Sequence, residues 1–419
     1  MGMGGERKNN QSFRRTAFAF IVLMALVSML SDVTHEGANS ILGDYESFLG
    51  ASAFVISVVS GLGLFIGYSL RLLTGYLADR TKKYWLFTLI GYAVDLISIP
   101  LLAAVPVNGW LLACLFVLLE KTGKAIKKPA KNTLVSFAAK SNGTGKSFAF
   151  SELLDQIGAF LGPIVLTLTY LFNGSLGEYE KYRLGFLVLG IPAFLCLVLL
   201  LVARLLFKNP ESFEKENPNL TKKRSLRKAS FVIFCLAGGC LAFGYIGYPL
   251  ALKHIADLNL FDADVLPLLY SYAMLIDALS ALAFGFLYDR FGLWVIALSS
   301  GLSAASSFFL FLIPSIWSIF VGLTLWGIGE GALESVVMSG VTDLSDKGER
   351  AKAFGLFDTV FGVFSFLGSL LAGGLFDFSL LWMCLASSSF AFLAAFLFVA
   401  AGLKKKKEDR ALIPPPLEG

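Results

Sequence analysis

With 419 residues, 56% of them hydrophobic and only 16% charged, the chain lies outside the range of soluble domains, where charged residues make up about 25%. The cysteines Cys114, Cys196, Cys235, Cys240 and Cys384 all fall inside apolar runs, and none has ligand spacing to either histidine, which argues against a zinc or disulfide framework; they read as packing residues. The net charge of +5 comes from basic residues scattered between apolar segments, a pattern that fits loops at a membrane surface and not a face for nucleic acid.

Apolar segments of roughly 20 residues recur along the whole chain, each long enough to cross a hydrocarbon core of about 30 Å as a helix. Lipid offers no partner to open backbone groups, so helices are the expected spanning element. Hydropathy and turn residues place spans at 17–40, 50–78, 84–105, 109–137, 148–172 and 183–207, then at 229–252, 264–289, 293–313, 316–342, 352–376 and 380–403. The expectation is an all-α integral membrane protein with twelve transmembrane helices in two pseudo-symmetric six-helix bundles. Residues 1–16 and 404–419 form the ends, 17–207 and 229–403 the bundles, and 208–228 the linker. No cleavable signal is evident, because the first run after Arg14-Arg15 is too long for a signal core and carries charges. Lys and Arg gather in alternate loops, which puts both termini and the linker on the cytoplasmic side, in a bacterial or archaeal inner membrane.

The first span carries Asp32, His35 and Glu36 about one turn apart. The second carries Arg71 and ends in Gly75-Tyr76-Leu77-Ala78-Asp79-Arg80-Thr81-Lys82-Lys83, and a shortened copy, Gly285-Phe286-Leu287-Tyr288-Asp289-Arg290, ends the eighth. The copy points to a duplication. Gly-x-x-x-Asp-Arg followed by basic residues resembles the loop signature of the major facilitator superfamily between helices 2 and 3, with its weaker echo between helices 8 and 9. The resemblance covers almost the whole chain and implies a secondary transporter. Asp79 opposes the dipole of its own helix, so it is expected to serve another, the start of the eleventh span, as a latch helped by Gly75. Arg80, Gly285, Asp289 and Arg290 complete the gating set.

The third span carries Asp95 and the fourth carries Glu120, Lys121, Lys124, Lys127, Lys128 and Lys131 around Pro129. A charge at mid-bilayer costs at least about 2.5 kcal/mol without a partner, so this row is expected to face a cavity or the acidic first and fifth spans. Lys121, Lys124 and Lys128 admit two readings, capture of an anionic or zwitterionic substrate and an internal salt-bridge network that sets a gate. The fifth span offers Glu152 and Asp155, then Gly158-Ala159-Phe160-Leu161-Gly162-Pro163, whose glycines allow close helix contact and whose proline bends the segment. That motif is similar to the helix 5 signature of the superfamily's antiporters, which implies export. Asp32, Glu36, Glu152 and Asp155 read as proton carriers or as neutralisers of the lysines, and His35 as a proton relay or an orienting hydrogen-bond partner. Tyr245 and Tyr248 in the seventh span, with Pro249, suit a flexible cavity wall, and packing is the favoured reading of the two.

The second half carries Asp277, Glu330, Glu334 and Asp358 in its spans. Setting Lys146-Ser147-Phe148 against Lys352-Ala353-Phe354 lays Glu152 over Asp358, and Lys124 and Lys128 over Glu330 and Glu334. Gly143-Thr144-Gly145-Lys146-Ser147 mimics a phosphate loop but lacks its first glycine and a preceding strand. The expected function is proton-coupled export of a small organic, anionic or amphipathic molecule by alternating access. Symport and metal-ion export are the alternatives, and an intramembrane enzyme ranks last. Substrate and lipid bilayer are the expected partners of a monomer that uses a proton gradient and no cofactor or bound metal.

Overall fold

The computed structural model describes residues 3–142, 144–213, 229–345 and 350–411. Most of the expected linker, the tail from 412 onward and the side chain of Glu334 lie outside the described residues. Helices follow in the order α1 (Met3–Phe48), α2 (Ala53–Thr81), α3 (Tyr84–Leu101), α4 (Trp110–Asn142), α5 (Thr144–Phe172) and α6 (Glu178–Leu206). The second series is α7 (Ala229–Gly244), α8 (Tyr248–Asp257), α9 (Leu266–Phe291), α10 (Trp294–Ser303), α11 (Ser306–Phe311), α12 (Ile316–Ala332), α13 (Met338–Leu344), α14 (Arg350–Phe378) and α15 (Leu380–Ala411). No strand occurs among the described residues.

Among the described residues, ten stretches are long and apolar enough to cross a membrane, and Ile316–Ala332 adds a shorter one. The remaining crossing of the twelve-helix fold is α4, whose lysine row keeps its average polarity high. Several helices depart from the expected bounds. α1 runs on to Phe48 because Gly37 does not end it: a side chain there would stand 3.3 Å from the Gly162 carbonyl, so the glycine serves helix packing. The seventh span is broken between Gly244 and Tyr248, with Gly247 extended at φ −63°, ψ 144° and Pro249 in the first turn of α8. The ninth is broken at Ala304-Ala305, and the tenth carries a π-helical turn over Leu333–Val337.

Contacts divide the chain into two compact units, one of residues 1–52, 70–219 and 261–271, the other of 53–69, 220–260 and 272–419. In the first, α1 packs along α5 and α3 along α4, around a core that includes Phe20, Tyr92, Leu134 and Leu200. Residues 261–271 belong there through Lys181 Nζ, 2.5 Å from Asp264, and Ser271 Oγ, which donates to the Phe160 carbonyl at 3.1 Å. In the second unit, α7 packs on α14 and α15 around Phe234, Phe357, Ile296 and Phe398. The start of α2 joins it because Ser57 Oγ donates to the Ser369 carbonyl at 2.7 Å. The duplication seen in the sequence also appears in burial: Thr74 and Ala78 are buried with Asp79 and Arg80 exposed, and Phe284 and Tyr288 are buried with Asp289 and Arg290 exposed.

Candidate functional site

The first unit assembles its charges by bringing α3 and α4 unusually close. A side chain at Gly91 of α3 would meet the backbone nitrogen of Lys127 at 2.5 Å, and one at Gly123 of α4 would meet the backbone nitrogen of Asp95 at 2.5 Å. Each helix therefore carries a glycine one turn before its charge, and each glycine makes room for the other helix's charge. Pro129 lies one turn beyond Ala125 and has no amide to offer that residue's carbonyl. Thr74 Oγ1 of α2 supplies the missing bond at 2.9 Å, and Gly75 beside it leaves space for the proline ring.

Inside this frame Lys127 forms an ion pair with Asp95. The same ammonium reaches Ser31 Oγ at 2.7 Å and lies 4.0 Å from the centre of the Tyr92 ring. His35 bridges two acids, with Nε2 2.9 Å from Asp95 and Nδ1 3.0 Å from Glu120, and the side chains of His35 and Asp95 are fully buried. Lys127 Nζ is also 3.4 Å from His35 Nε2. Isolated buried charges would be expelled from such a place at a cost of several kcal/mol, so the mutual pairing is what keeps the cluster inside.

Around this closed centre lies a more open rim. Lys121 is 2.9 Å from Glu120, and Lys124 is 3.5 Å from Glu36; the two lysine side chains are 20% and 26% exposed. Glu36 also accepts from Tyr270 at 2.7 Å and from Asn39 at 2.8 Å. Lys131 bonds Ser28 at 2.6 Å and lies 4.0 Å from Asp155. The lysine row of α4 is thus answered by α1 and α5, the acidic helices, as well as by α3. Asp32 stands beside Gly158, whose missing side chain would meet its Cβ at 3.2 Å. Gly162 likewise faces Gly37, with a hypothetical Cβ 2.6 Å from that backbone nitrogen, so the Gly-x-x-x-Gly-Pro stretch forms the α1–α5 contact. Lys128 and Glu152 are exposed.

The remaining candidates fall elsewhere. Asp79 is exposed at the end of α2 and accepts a hydrogen bond from Tyr84 at 3.0 Å, while Arg80, Asp289 and Arg290 are also exposed. In the second unit Glu330 is hydrogen-bonded to Tyr245, and Asp358 is half-buried on α14. Sequence reasoning did not single out Asp95, Glu120 or Lys127 as site residues, nor Ser31 and Tyr270. A usable signal existed: Gly91-x-x-x-Asp95 and Gly123-x-x-x-Lys127 are matching glycine-to-charge spacings of opposite sign on consecutive helices.

Comparison with known proteins follows the same lines. The profile of the Major Facilitator Superfamily matches residues 24–261 and 232–418. The uncharacterized protein Rv2265 of Mycobacterium tuberculosis is 35% identical over 371 residues, 87% of this chain and 88% of its own. The uncharacterized MFS-type transporter MJ1317 of Methanocaldococcus jannaschii is 28% identical over 401 residues, 89% of this chain and 92% of its own. Among solved structures, the nucleoside transporter NupG superposes with a TM-score of 0.68 at 17% identity, covering 91% of this chain and 99% of that one. The POT family transporter PepTSo does so with a TM-score of 0.72 at 13% identity, covering 93% and 99%.

Proposed function

Given that the chain belongs to the major facilitator superfamily, and is therefore a secondary transporter, we propose that it exports a small anionic or amphipathic organic molecule in exchange for protons, by alternating access. The observation that carries the proton step is His35 held between two carboxylates. A neutral imidazole has one N–H and serves one acid; an imidazolium has two and serves both. With the proton bound, Nε2–H can donate to Asp95, and the imidazolium charge stands 3.0 Å from Glu120; without it, Nε2 can accept from Lys127 at 3.4 Å. The two states differ in whether Asp95 is held by one cation or two. A proton arriving at His35 thereby loosens or tightens the α1–α3–α4 contact, which supplies a link between protonation and helix movement.

The partly exposed Lys121 and Lys124 form the anion-facing rim, and proton loading alters how tightly Glu120 competes for them. The helix 5 motif at Gly158, Gly162 and Pro163 supports the export direction, and the alternating Lys and Arg loops support cytoplasmic termini. Asp79 and Arg80 are the gating candidates at the end of α2. Metal transport is disfavoured because the ammonium of Lys127 already sits on Asp95, where a cation would need to bind.

A thermal-shift screen of organic acids and amphiphiles supplies the transported compound. Its accumulation in everted vesicles should follow an imposed pH gradient, stop when a protonophore is added, and lose its dependence on pH in His35→Gln. Accumulation that ignores the protonophore would reject coupling, and loss of compound from the vesicles would reverse the direction.

A further inference from the structure

The second unit contains a pocket whose position coincides with three interruptions of helix geometry. Gly244, Tyr245 and Ile246 line it from the break between α7 and α8. Ser303 and Ser306 line it from the break between α10 and α11, and Leu333 from the start of the π turn. Irregular backbone at membrane depth is tolerated where it borders a cavity, and discontinuous helices are a common device for building ligand sites. A π turn is likewise frequent at such places.

These breaks are supported by side chains, as a built site requires. Trp326 Nε1 donates to the Ile246 carbonyl at 3.1 Å. Ser387 Oγ donates to the Gly244 carbonyl, and Ser388 Oγ to the Ala304 carbonyl at 2.5 Å. The carbonyls of Ile246, Gly244 and Ala304 are thus satisfied by side chains, and the lining combines aromatic rings, aliphatic side chains and hydroxyls. Tyr245 and Trp326 lie with ring centres 5.8 Å apart, and Phe311 and Phe361 complete the apolar side. Glu330 is the one charged side chain among the described lining residues, and its carboxylate is hydrogen-bonded to Tyr245.

We infer that this pocket binds an organic amine: an apolar or aromatic body packs against Trp326 and Phe311, and a protonated nitrogen meets Glu330. A carboxylate in an otherwise uncharged, aromatic lining favours a cation by ion pairing and repels an anion. The serines offer neutral hydrogen bonds to a hydroxyl or amide on the same ligand. The site is formed wholly by residues of the second unit, and the inference is independent of proton coupling at His35.

The test places a cysteine in the pocket, Ser306→Cys and separately Ser303→Cys, in the otherwise native chain, whose own five cysteines are buried. Labelling by aminoethyl methanethiosulfonate is compared with labelling by its sulfonatoethyl analogue, each normalised to its rate with a free thiol. The cationic reagent should react about tenfold faster, the scale of electrostatic focusing in a cleft of one sign. Glu330→Gln should abolish that preference, and phenylbutylamine should slow the labelling while phenylbutyrate does not. Equal rates for the two reagents, no labelling of either folded variant, protection by the acid, or protection by neither compound would overturn the inference. Because two independent cysteine positions are used, misfolding of one leaves the result readable.

Discussion

In the first unit, Lys121, Lys124, Lys127 and Lys131 of α4 are met one by one by Glu120, Glu36, Asp95 and Asp155. In the second, the charge of the corresponding region is acidic: Glu330 lines a pocket. The backbone follows the chemistry. Where charges pair, α3 and α4 stay continuous and press together through Gly91 and Gly123; where the carboxylate Glu330 faces a pocket, the surrounding helices are broken and their carbonyls are covered by Trp326, Ser387 and Ser388. A buried ion pair rewards rigid close packing, whereas space for a ligand has to be made by giving up regular hydrogen bonds and replacing them with side-chain ones.

The sharpest way to break this contrast is to remove one partner on each side. Lys127→Ala removes the ammonium paired with buried Asp95 and leaves that carboxylate to His35 alone, and should cost about 3–5 kcal/mol, read as a large fall in melting temperature of the purified protein. Restoring neutrality with Lys127→Met and Asp95→Leu together should recover much of the loss. Glu330→Gln keeps the shape of its pocket and should shift melting by less than about 1 kcal/mol, since an amide still hydrogen-bonds Tyr245. If the two single changes cost the same, the distinction between a packed and an open region fails.

Next in size is Gly91→Ala. Its methyl group would stand 2.5 to 2.8 Å from the backbone of Lys127, so the helices must separate, at about 1–3 kcal/mol. Gly285→Ala is the control in the other copy: nothing lies within 4 Å of the added carbon, and helix propensity should make it neutral or stabilising by up to about 1 kcal/mol. Both are measured by denaturation in the same detergent. Trp326→Phe is smaller still. It removes the donor to the Ile246 carbonyl and should cost about 1 kcal/mol, with increased hydrogen exchange confined to the break between α7 and α8.

How much of this was legible beforehand depends on what each feature imposes on composition. Apolar length alone gave the order of spans, and the lysine row of α4 announced an internal role because lipid would not accept it. Which lysine meets which acid was not legible, since Lys124, Lys127 and Lys128 share a face and only the rotation fixed by Gly91 and Gly123 selects Lys127 for Asp95. The pocket was harder. Ala304-Ala305 interrupts an apolar run without any change in hydropathy, so a window average passes over it, and only Gly247 followed by Pro249 hinted at a break. Gly75, expected to admit a distant helix, leaves room for Pro129 of α4, a local role that the Gly-x-x-x-Asp-Arg pattern does not disclose.

Segments 53–69 and 261–271 each fold with the unit made mostly from the other half of the sequence. Severing the polypeptide between α6 and α7 would therefore hand each fragment a stretch whose partners sit on the other piece: Ser57 without Ser369, Asp264 without Lys181. Fragments produced separately should be insoluble or quickly degraded, while co-expression should restore a complex that survives purification through one tag. Recovery of that complex would mean that the exchanged stretches suffice as a clasp without a continuous polypeptide.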